Sequence, residues 1–466
     1  MKKHTLTLAV ASALLGMAAQ VQAAGFQLAE TSATGLGRAF AGEAAMADNA
    51  SAQVRNPAML TQLQGTQISG GGIMVMPNVD IHGHATQVMP SSMKPNDLAT
   101  GNFDLVDVPG STVASSAEDV AGNAFIPNLY LSHQLDDQLF IGLAVGSNYG
   151  MSTELQQGFR GTQFGNEASI KTVELNPNIA YRINDQFSIG GGVRFVMGKG
   201  SIGATSSVDT QIPLAVLQHK QVPGAIPVPM GTTLKYMEGD DTAWGWQAGA
   251  AWQLDANNRI GFNYRSAVDL KLAGHANGFA FNPLNPSMKF DGSMELTLPA
   301  TAEISSFNQL TDKLAMHASV NWTDWSAFDK LEADIPALGN RATQLVKQEN
   351  WHDSYRFALG ATYNLDRQSL VRVGVAYDKS AVDENTRTMT IPEMNRYWFS
   401  AGYGYKFTEN FNVDMGLTYI VADKANVSEP RPGIASDRDS LPFGGSFSGT
   451  TEGNILLFGL QASYKF

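Results

Sequence analysis

AWGWQAGAAWQL, residues 243–254, decides the fold. As an extended chain it puts Trp244, Trp246, Ala248, Ala250, Trp252 and Leu254 on one face and Gly245, Gln247, Gly249, Ala251 and Gln253 on the other. Side chains alternate between the two faces of a strand, so this period of two marks a β-strand with an aromatic, greasy side and a small or polar side. The split recurs in KLAMHASVNW (Leu314, Met316, Ala318, Val320, Trp322) and in RYWFSAGYGYKF (Tyr397, Phe399, Ala401, Tyr403, Tyr405, Phe407). YRFALGATYNL repeats it with Tyr355, Phe357, Leu359, Ala361 and Tyr363.

Terse polar links join such segments: QLDDQLF (134–140), RINDQFS (182–188), QLDANNRI (253–260), QLTDKLA (309–315), NLDRQSL (364–370) and KFTENFN (406–412). Asp and Asn supply turn geometry there, so each link reads as a tight hairpin. The connections at 77–122, 199–242, 274–291, 328–350, 380–392 and 424–453 are long, polar and rich in Gly, Pro, Ser and Asp, and read as loops. Six hairpins make twelve strands, and TQISGGGIMVM (66–76) and NILLFGLQASYKF (454–466) bring the total to fourteen. Short turns at one end, long loops at the other and an aromatic outer face predict an all-β fold, a transmembrane antiparallel β-barrel. A soluble sandwich also alternates, but its turns need not sort by length and its outward face should be polar.

Composition is compatible with this and narrows the classes. A 466-residue chain without cysteine is no disulfide scaffold. Its net charge of −12 argues against nucleic acid, which asks for basic stripes. The start, MKKHTLTLAVASALLGMAAQVQAAGF, has two lysines, an apolar run and a small-residue site at Val21, Gln22, Ala23. It reads as a secretory signal over 1–23, with the mature protein beginning at Ala24. No later window approaches the roughly 18 apolar residues of a spanning helix. Composition alone favours a soluble periplasmic or extracellular protein.

At the other end, Leu456, Phe458, Leu460, Ala462, Tyr464 and Phe466 share one face. This looks like the terminal strand read by barrel assembly machinery, and it must close against the first strand because no backbone group can go unpaired in lipid. A ring of fourteen strands is too wide to be filled by its own lining. The segment before residue 66 has no strand pattern long enough to join the wall, and predicts a small, partly helical plug over 24–65 inside a barrel of 66–466. In Gly42–Leu60 the residues Ala44, Ala45, Ala47, Ala50 and Ala52 suit a crowded lumen, and Pro57 stops a helix after Asn56.

Catalytic signatures are thin. GKGSIG (198–203) has the spacing of a dinucleotide loop, but no βαβ pattern follows, and it reads as a strand running out into a loop. His82 and His84 lack further ligands for a metal. Glu238, Asp240 and Asp241 read as loop charges, with divalent cations near lipopolysaccharide as the alternative. No Gly-x-Ser-x-Gly elbow occurs, which leaves only an outer-membrane hydrolase with a dispersed triad. Neither a cofactor nor a metal is expected.

AGFQLAETSATGLGRAFAGEAAMADNASAQVRNPAML resembles the amino-terminal hatch of the long-chain fatty acid transporter family of Gram-negative outer membranes. Its carriers are Ala24 to Leu28, Gly35 to Ala39, Gly42 with Glu43, and Asn56, Pro57 and Ala58. FIPNLYLSHQLDDQLFIGLAVGSNYGMSTEL, WGWQAGAAWQLDANNRIGFNYRS and DSYRFALGATYNL extend the resemblance through the barrel. It implies a fourteen-stranded barrel plugged by the hatch. A hydrophobic ligand is captured at the outer loops, moves to an apolar pocket, and leaves sideways after the hatch rearranges. The exit lies beside an inward kink in the third strand, here at Asn148, Tyr149 and Gly150, where glycine would supply unusual backbone angles.

The resemblance further implies a pocket at Ala24 to Phe26 and a basic residue, Lys347, facing the ligand carboxylate. A second basic position of the family falls on Ala204, with Lys199 or Arg194 as substitutes. Long-chain fatty acids are thus the first expected ligand and aromatic or other hydrocarbons the second. Porin, adhesin and phage-receptor roles remain alternatives. Membrane lipid and lipopolysaccharide would surround a monomer.

Overall fold

The computed structural model describes residues 25–100, 102–215 and 223–466. The expected signal segment and Ala24 lie outside them. Fourteen antiparallel strands form the wall, several interrupted by a short break. In order they are β1 (Thr66–Thr86), β2 (Val113–Ala117, Ala124–Gln134), β3 (Leu139–Gly146, Gly150–Glu154), β4 (Glu167–Arg182) and β5 (Phe187–Thr205). Then come β6 (Thr233–Gln253), β7 (Asn258–Arg265, Val268–Asn277), β8 (Phe290–Leu298, Thr301–Gln309) and β9 (Leu314–Thr323, Lys330–Asp334). The ring is completed by β10 (Thr343–Gln348, Ser354–Asn364), β11 (Ser369–Asp378), β12 (Arg396–Lys406), β13 (Phe411–Ala422, Ala425–Glu429) and β14 (Ser446–Lys465).

Each strand pairs with its sequence neighbours, and β1 closes on β14 from Gln67↔Lys465 to Thr86↔Ser446. With that closure the sheet has no end strand. All six polar links are tight turns: Asp136, Asn184, Asp255 and Asp366 each cap two amides of their own turn through one side-chain oxygen. The alternation is read out as drawn from sequence. Trp244, Trp246, Phe262, Ile304, Phe357, Phe399 and Phe458 are exposed on the outside, whereas Gln247, Asn263, Ser305, Ser319 and Gln461 are buried inside.

The boundaries differ from the sequence expectation at the loop end. Much of what reads as loop is strand: β1 continues to Thr86, β5 to Thr205, β6 begins at Thr233, and β14 at Ser446. Above the lipid the outward side chains become polar, so the hydrophobic alternation stops while the hydrogen-bond ladder continues. His82 and His84 therefore sit in β1, the GKGSIG stretch in β5, and Glu238, Asp240 and Asp241 in β6, none of them in a loop. Among the described residues no helix is long and apolar enough to cross a membrane, which says nothing against strands doing so.

Candidate functional site

Residues 25–65 lie inside the ring. Two single-turn helices, α1 (Ala33–Leu36) and α2 (Ala52–Arg55), and two 3-10 turns, Glu43–Ala45 and Pro57–Gln62, are buried almost throughout. Ser32 caps α1 through its side chain, and Asn56 does the same for the turn that Pro57 opens, accepting from the Ala58 amide at 3.0 Å. The Asn56 amide group donates to Ala44 O at 2.7 Å and to the wall at Ala250 O, 2.9 Å. One side chain thus ties two parts of the segment to β6.

Other seats are polar too. Ala33 N donates to Gln461 Oε1, Ala44 N to Glu303 Oε1, Thr34 Oγ1 to Asp414 Oδ2, and Thr61 Oγ1 to Ser188 Oγ. Arg38, 1% exposed, bridges Glu43 at 2.7 Å and Asp48 at 2.8 Å. Backbone packs directly on wall glycines: a Cβ at Gly261 would lie 1.8 Å from Ala44 O, and one at Gly249 2.0 Å from Asn56 Oδ1. The small residues and glycines on both sides let the two backbones approach, and apolar packing adds to the polar seats: Leu36 and Phe40 share a buried cluster with Ile73, Trp398, Ile420 and Leu457 of the wall.

The chain's first described residues run to the wall interruption in β3. The β3–β4 ladder reads Gly146↔Glu174 and then Gly150↔Lys171, so three residues on β3 oppose two on β4, a bulge. Side chains replace the lost ladder: Ser147 Oγ donates to Thr172 O and Thr172 Oγ1 to Tyr149 O, both at 2.7 Å. On the β2 side the ladder with β3 ends at Leu129↔Val145, leaving Ala124–Asn128 unpaired with β3. The N-terminal segment fills the vacated inner edge, with Leu28 N donating to Asn148 O and Gly150 N to Phe26 O, both at 2.8 Å. Gly150 does not have the left-handed backbone expected of it, and a Cβ there would meet only Leu28 and Ile170 at 3.4 Å or more. The extra residue makes the kink; glycine does not.

Phe26, 2% exposed, is set in an aromatic box. Its ring lies 4.6 Å from Trp325 and 5.3 Å from Phe328, both edge to face, and 6.1 Å from Trp351 and 6.3 Å from Tyr149, both tilted. Trp325 and Phe328 come from a break in β9, and Trp351 from a break in β10, so wall irregularities build the box. The same apolar cluster continues outward through Ile170, Leu270, Met237, Phe281 and Val346.

At its outer end, beneath the loops, is a cavity of about 180 Å³ lined by Met237, Phe281 and Val346, by Lys235 and Lys347, and by Asp437 and Asp439, of which Asp437 is paired with Arg431 at 2.8 Å. Lys347 is 5% exposed, within the upper segment of β10, and its Nζ donates to Thr390 Oγ1 at 3.2 Å. Lys235 Nζ donates to Val346 O at 3.0 Å. Burial, and then the like charge of Lys347, push the Lys235 ammonium down to about 8. Lys235 is directly cross-strand from Ala204. It lies within 199–242, where no apolar alternation marks a strand.

The two suggested substitutes for Ala204 are elsewhere. Arg194 is committed to Glu174 at 2.9 Å and to Ser266 O, in a buried cluster with Arg265 beside α2. Lys199 is 60% exposed on the outer face, 3.9 Å from Glu238. Neither reaches the cavity. The remaining motifs assemble nothing: His82, His84 and GKGSIG are parts of ladders, and no group of three or more His, Cys, Asp or Glu that could hold a metal occurs among the described residues.

The family model for outer membrane protein transport proteins (OMPP1/FadL/TodX) matches residues 14–466. Outer membrane protein P1 of Haemophilus influenzae is 34% identical over 484 residues, covering 100% of both chains. The long-chain fatty acid transport protein of Escherichia coli K12 is 31% identical over 479 residues, 98% of each. In fold, the chain is similar to a Pseudomonas aeruginosa FadL homologue (TM-score 0.77, 24% identity, 95% of this chain and 100% of that one). It is also similar to the Pseudomonas putida toluene transporter TodX (TM-score 0.64, 14% identity, 95% and 100%). A plugged fourteen-stranded wall, a bulged third strand meeting the N-terminal segment, and end-to-end relatives above 30% identity lead to one conclusion: the chain belongs to the OMPP1/FadL/TodX family of transport proteins and is a β-barrel of the Gram-negative outer membrane.

Proposed function

We propose that this transporter takes up long-chain fatty acids passively. The observation that carries the reading is the pairing of Lys235 and Lys347 at one end of a continuous apolar cluster whose other end is Phe26 and the β3 bulge. Two lysines, with Asp437 already held by Arg431, leave positive charge to meet a carboxylate, and the cluster suits its alkyl chain at about 0.8 kcal/mol per buried CH₂. The relatives named long-chain fatty acid transport proteins support the same substrate.

In this reading the ligand is captured among the outer loops and its head group passes to Lys235 and Lys347. Residues 24–65 act as the hatch, with Asn56, Pro57 and Ala58 as its hinge to β6. Displacement of Ala24 to Phe26 opens the way to Asn148, Tyr149 and Gly150, where the ligand leaves between β2 and β3 into the lipid. The protein works as a monomer, and Phe466 and its strand engage the assembly machinery. No catalytic step is involved.

The test is oleate-dependent growth of a strain lacking its own uptake protein. Rescue is expected; no rescue at normal barrel expression would sink the proposal. A second reading, uptake of aromatic hydrocarbons, is favoured by the fold shared with toluene transporters. It differs at the lysines, which a neutral ligand does not need.

A further inference from the structure

The wall has a second interruption, between β8 and β9. Their lower ladder runs from Gln309↔Ala315 up to Thr301↔Thr323, and pairing resumes only at Ser293↔Asp334 and Met294↔Ala333. In between, residues 295–300 of β8 face residues 324–332 of β9, which turn inward through the 3-10 turn Trp325–Ala327. A backbone bond, Asp324 N to Ala300 O at 3.0 Å, crosses the lower margin of the break. The space left is a cavity of about 390 Å³, within the range of small-molecule sites.

Its inner wall is Leu296 and Phe328, 8% and 4% exposed, both members of the interior apolar cluster. Phe328 is also one side of the box around Phe26, and 4.9 Å from Trp351. A single ring therefore separates this outer cavity from the centre of the transport path. Its height is given by the strands themselves. Ile304 and Val320, exposed toward lipid, lie below it, while Lys271, Glu295, Lys330 and Glu332 ring it, so it opens at the outer membrane–water interface. The two wall breaks are joined through the lumen: Tyr149 Oη, from the β3 bulge, donates at 2.7 Å to the carbonyl of Pro299, in the unpaired stretch of β8.

We infer that the β8–β9 break is a side port through which uncharged amphiphiles, long-chain alcohols in particular, pass from the outer interface to the Phe26 box, with Phe328 as its door. Charge selects the class. Four carboxylates, Glu295, Asp329, Glu332 and Asp334, against two ammonium groups, Lys271 and Lys330, line the mouth, and Lys330 is already paired with Glu332 at 2.9 Å. A carboxylate ligand is repelled there, whereas an alcohol with an apolar tail is not. The loop cavity has no such excess of negative charge, since Lys235 and Lys347 stand there with Asp439 and with an Asp437 that Arg431 already neutralises. The inference rests on the transport reading but not on the fatty acid.

Uptake of labelled hexadecanol and of labelled oleate by cells lacking their own uptake protein tests it. Ala327→Trp, which fills the cavity mouth, should lower hexadecanol uptake at least fivefold and leave oleate uptake within twofold. Equal loss of both, or loss of neither, overturns the port. As the chain has no cysteine, the milder Ala327→Cys gives a binding readout on the purified barrel, checked for folding by its migration before and after heating. Hexadecanol should slow maleimide labelling at least threefold and dodecanoate should not; equal protection, or none by hexadecanol, overturns the port. A wild-type protein that carries hexadecanol and not oleate removes the fatty acid proposal and leaves this one standing.

Discussion

The carbonyl of Phe26 accepts a hydrogen bond from the amide of Gly150 at 2.8 Å, which ties the residue at the centre of the aromatic box to the bulge of the third strand. Leu28 N to Asn148 O, also 2.8 Å, is the second tie. Leu28→Pro deletes that donor and also takes the Leu28 side chain out of the buried cluster it shares with Ile73 and Ile126 of the wall, while the strand ladder itself is unchanged. Hydrogen exchange at residues 26–30 should speed at least tenfold, and oleate uptake should change at least threefold, with the barrel still assembled. Unchanged exchange would mean that the segment is held by its side chains alone.

Lys347→Ala and Lys235→Ala should each weaken dodecanoate binding roughly tenfold or more, from the loss of a charge-assisted contact of about 1.5–3 kcal/mol. Toluene binding should stay within twofold. Calorimetry on the purified barrel separates the two ligands, and equal loss for both would assign the lysines to packing.

The depressed Lys235 gives a pH dependence of definite sign. Its charge is present below about 8 and lost as pH rises through that value, under the opposing influence of Lys347 and of Asp437, Glu429 and Asp439. Dodecanoate affinity should therefore fall between pH 7 and pH 9. Lys235→Arg, charged throughout, should flatten the profile. A wild-type profile already flat over that range would show that Lys235 does not meet the carboxylate.

Asn56 joins Ala44, Ala58 and the Ala250 carbonyl of the wall. Asn56→Ala leaves buried partners unpaired at about 1–3 kcal/mol each, a cost borne by the plug and not by the fourteen-strand ladder. The barrel should keep its heat-modifiable migration on gels. Planar bilayers should show a rise in conductance over the wild type, and transport should slow or leak. Loss of the folded barrel would make Asn56 a structural anchor rather than part of a gate.

Sequence carried most of the wall because lipid imposes a strict alternation: Trp244, Trp246 and Trp252 could be assigned to the outside, and the Asp and Asn turns to the short end, from residue order alone. The small residues ahead of Thr66 marked a segment outside the strand pattern, and its helical turns are buried. What stayed hidden lies where that constraint ends. Lys235 sits in the polar extension of β6, yet its parity with Gly245 and Gln247 places it on the lumen side once the strand is continued backward. Trp325, Phe328 and Trp351 gather around Phe26 only because β9 and β10 leave the wall, and no local pattern announces that. Nor did the composition of the third strand reveal its mechanism: glycine suggested backbone strain at Gly150, while the bulge comes from a register offset that only the β4 partner defines.

The central claim is that this barrel carries long-chain carboxylates past Lys235 and Lys347. The direct measurement is the initial rate of labelled oleate uptake by cells lacking their own uptake protein, with the wild type compared against the Lys235→Ala, Lys347→Ala double variant at equal barrel expression. The account predicts rapid uptake in the wild type and at least a tenfold loss in the double variant. Wild-type uptake at the level of empty cells, or a double variant as fast as the wild type, would contradict it.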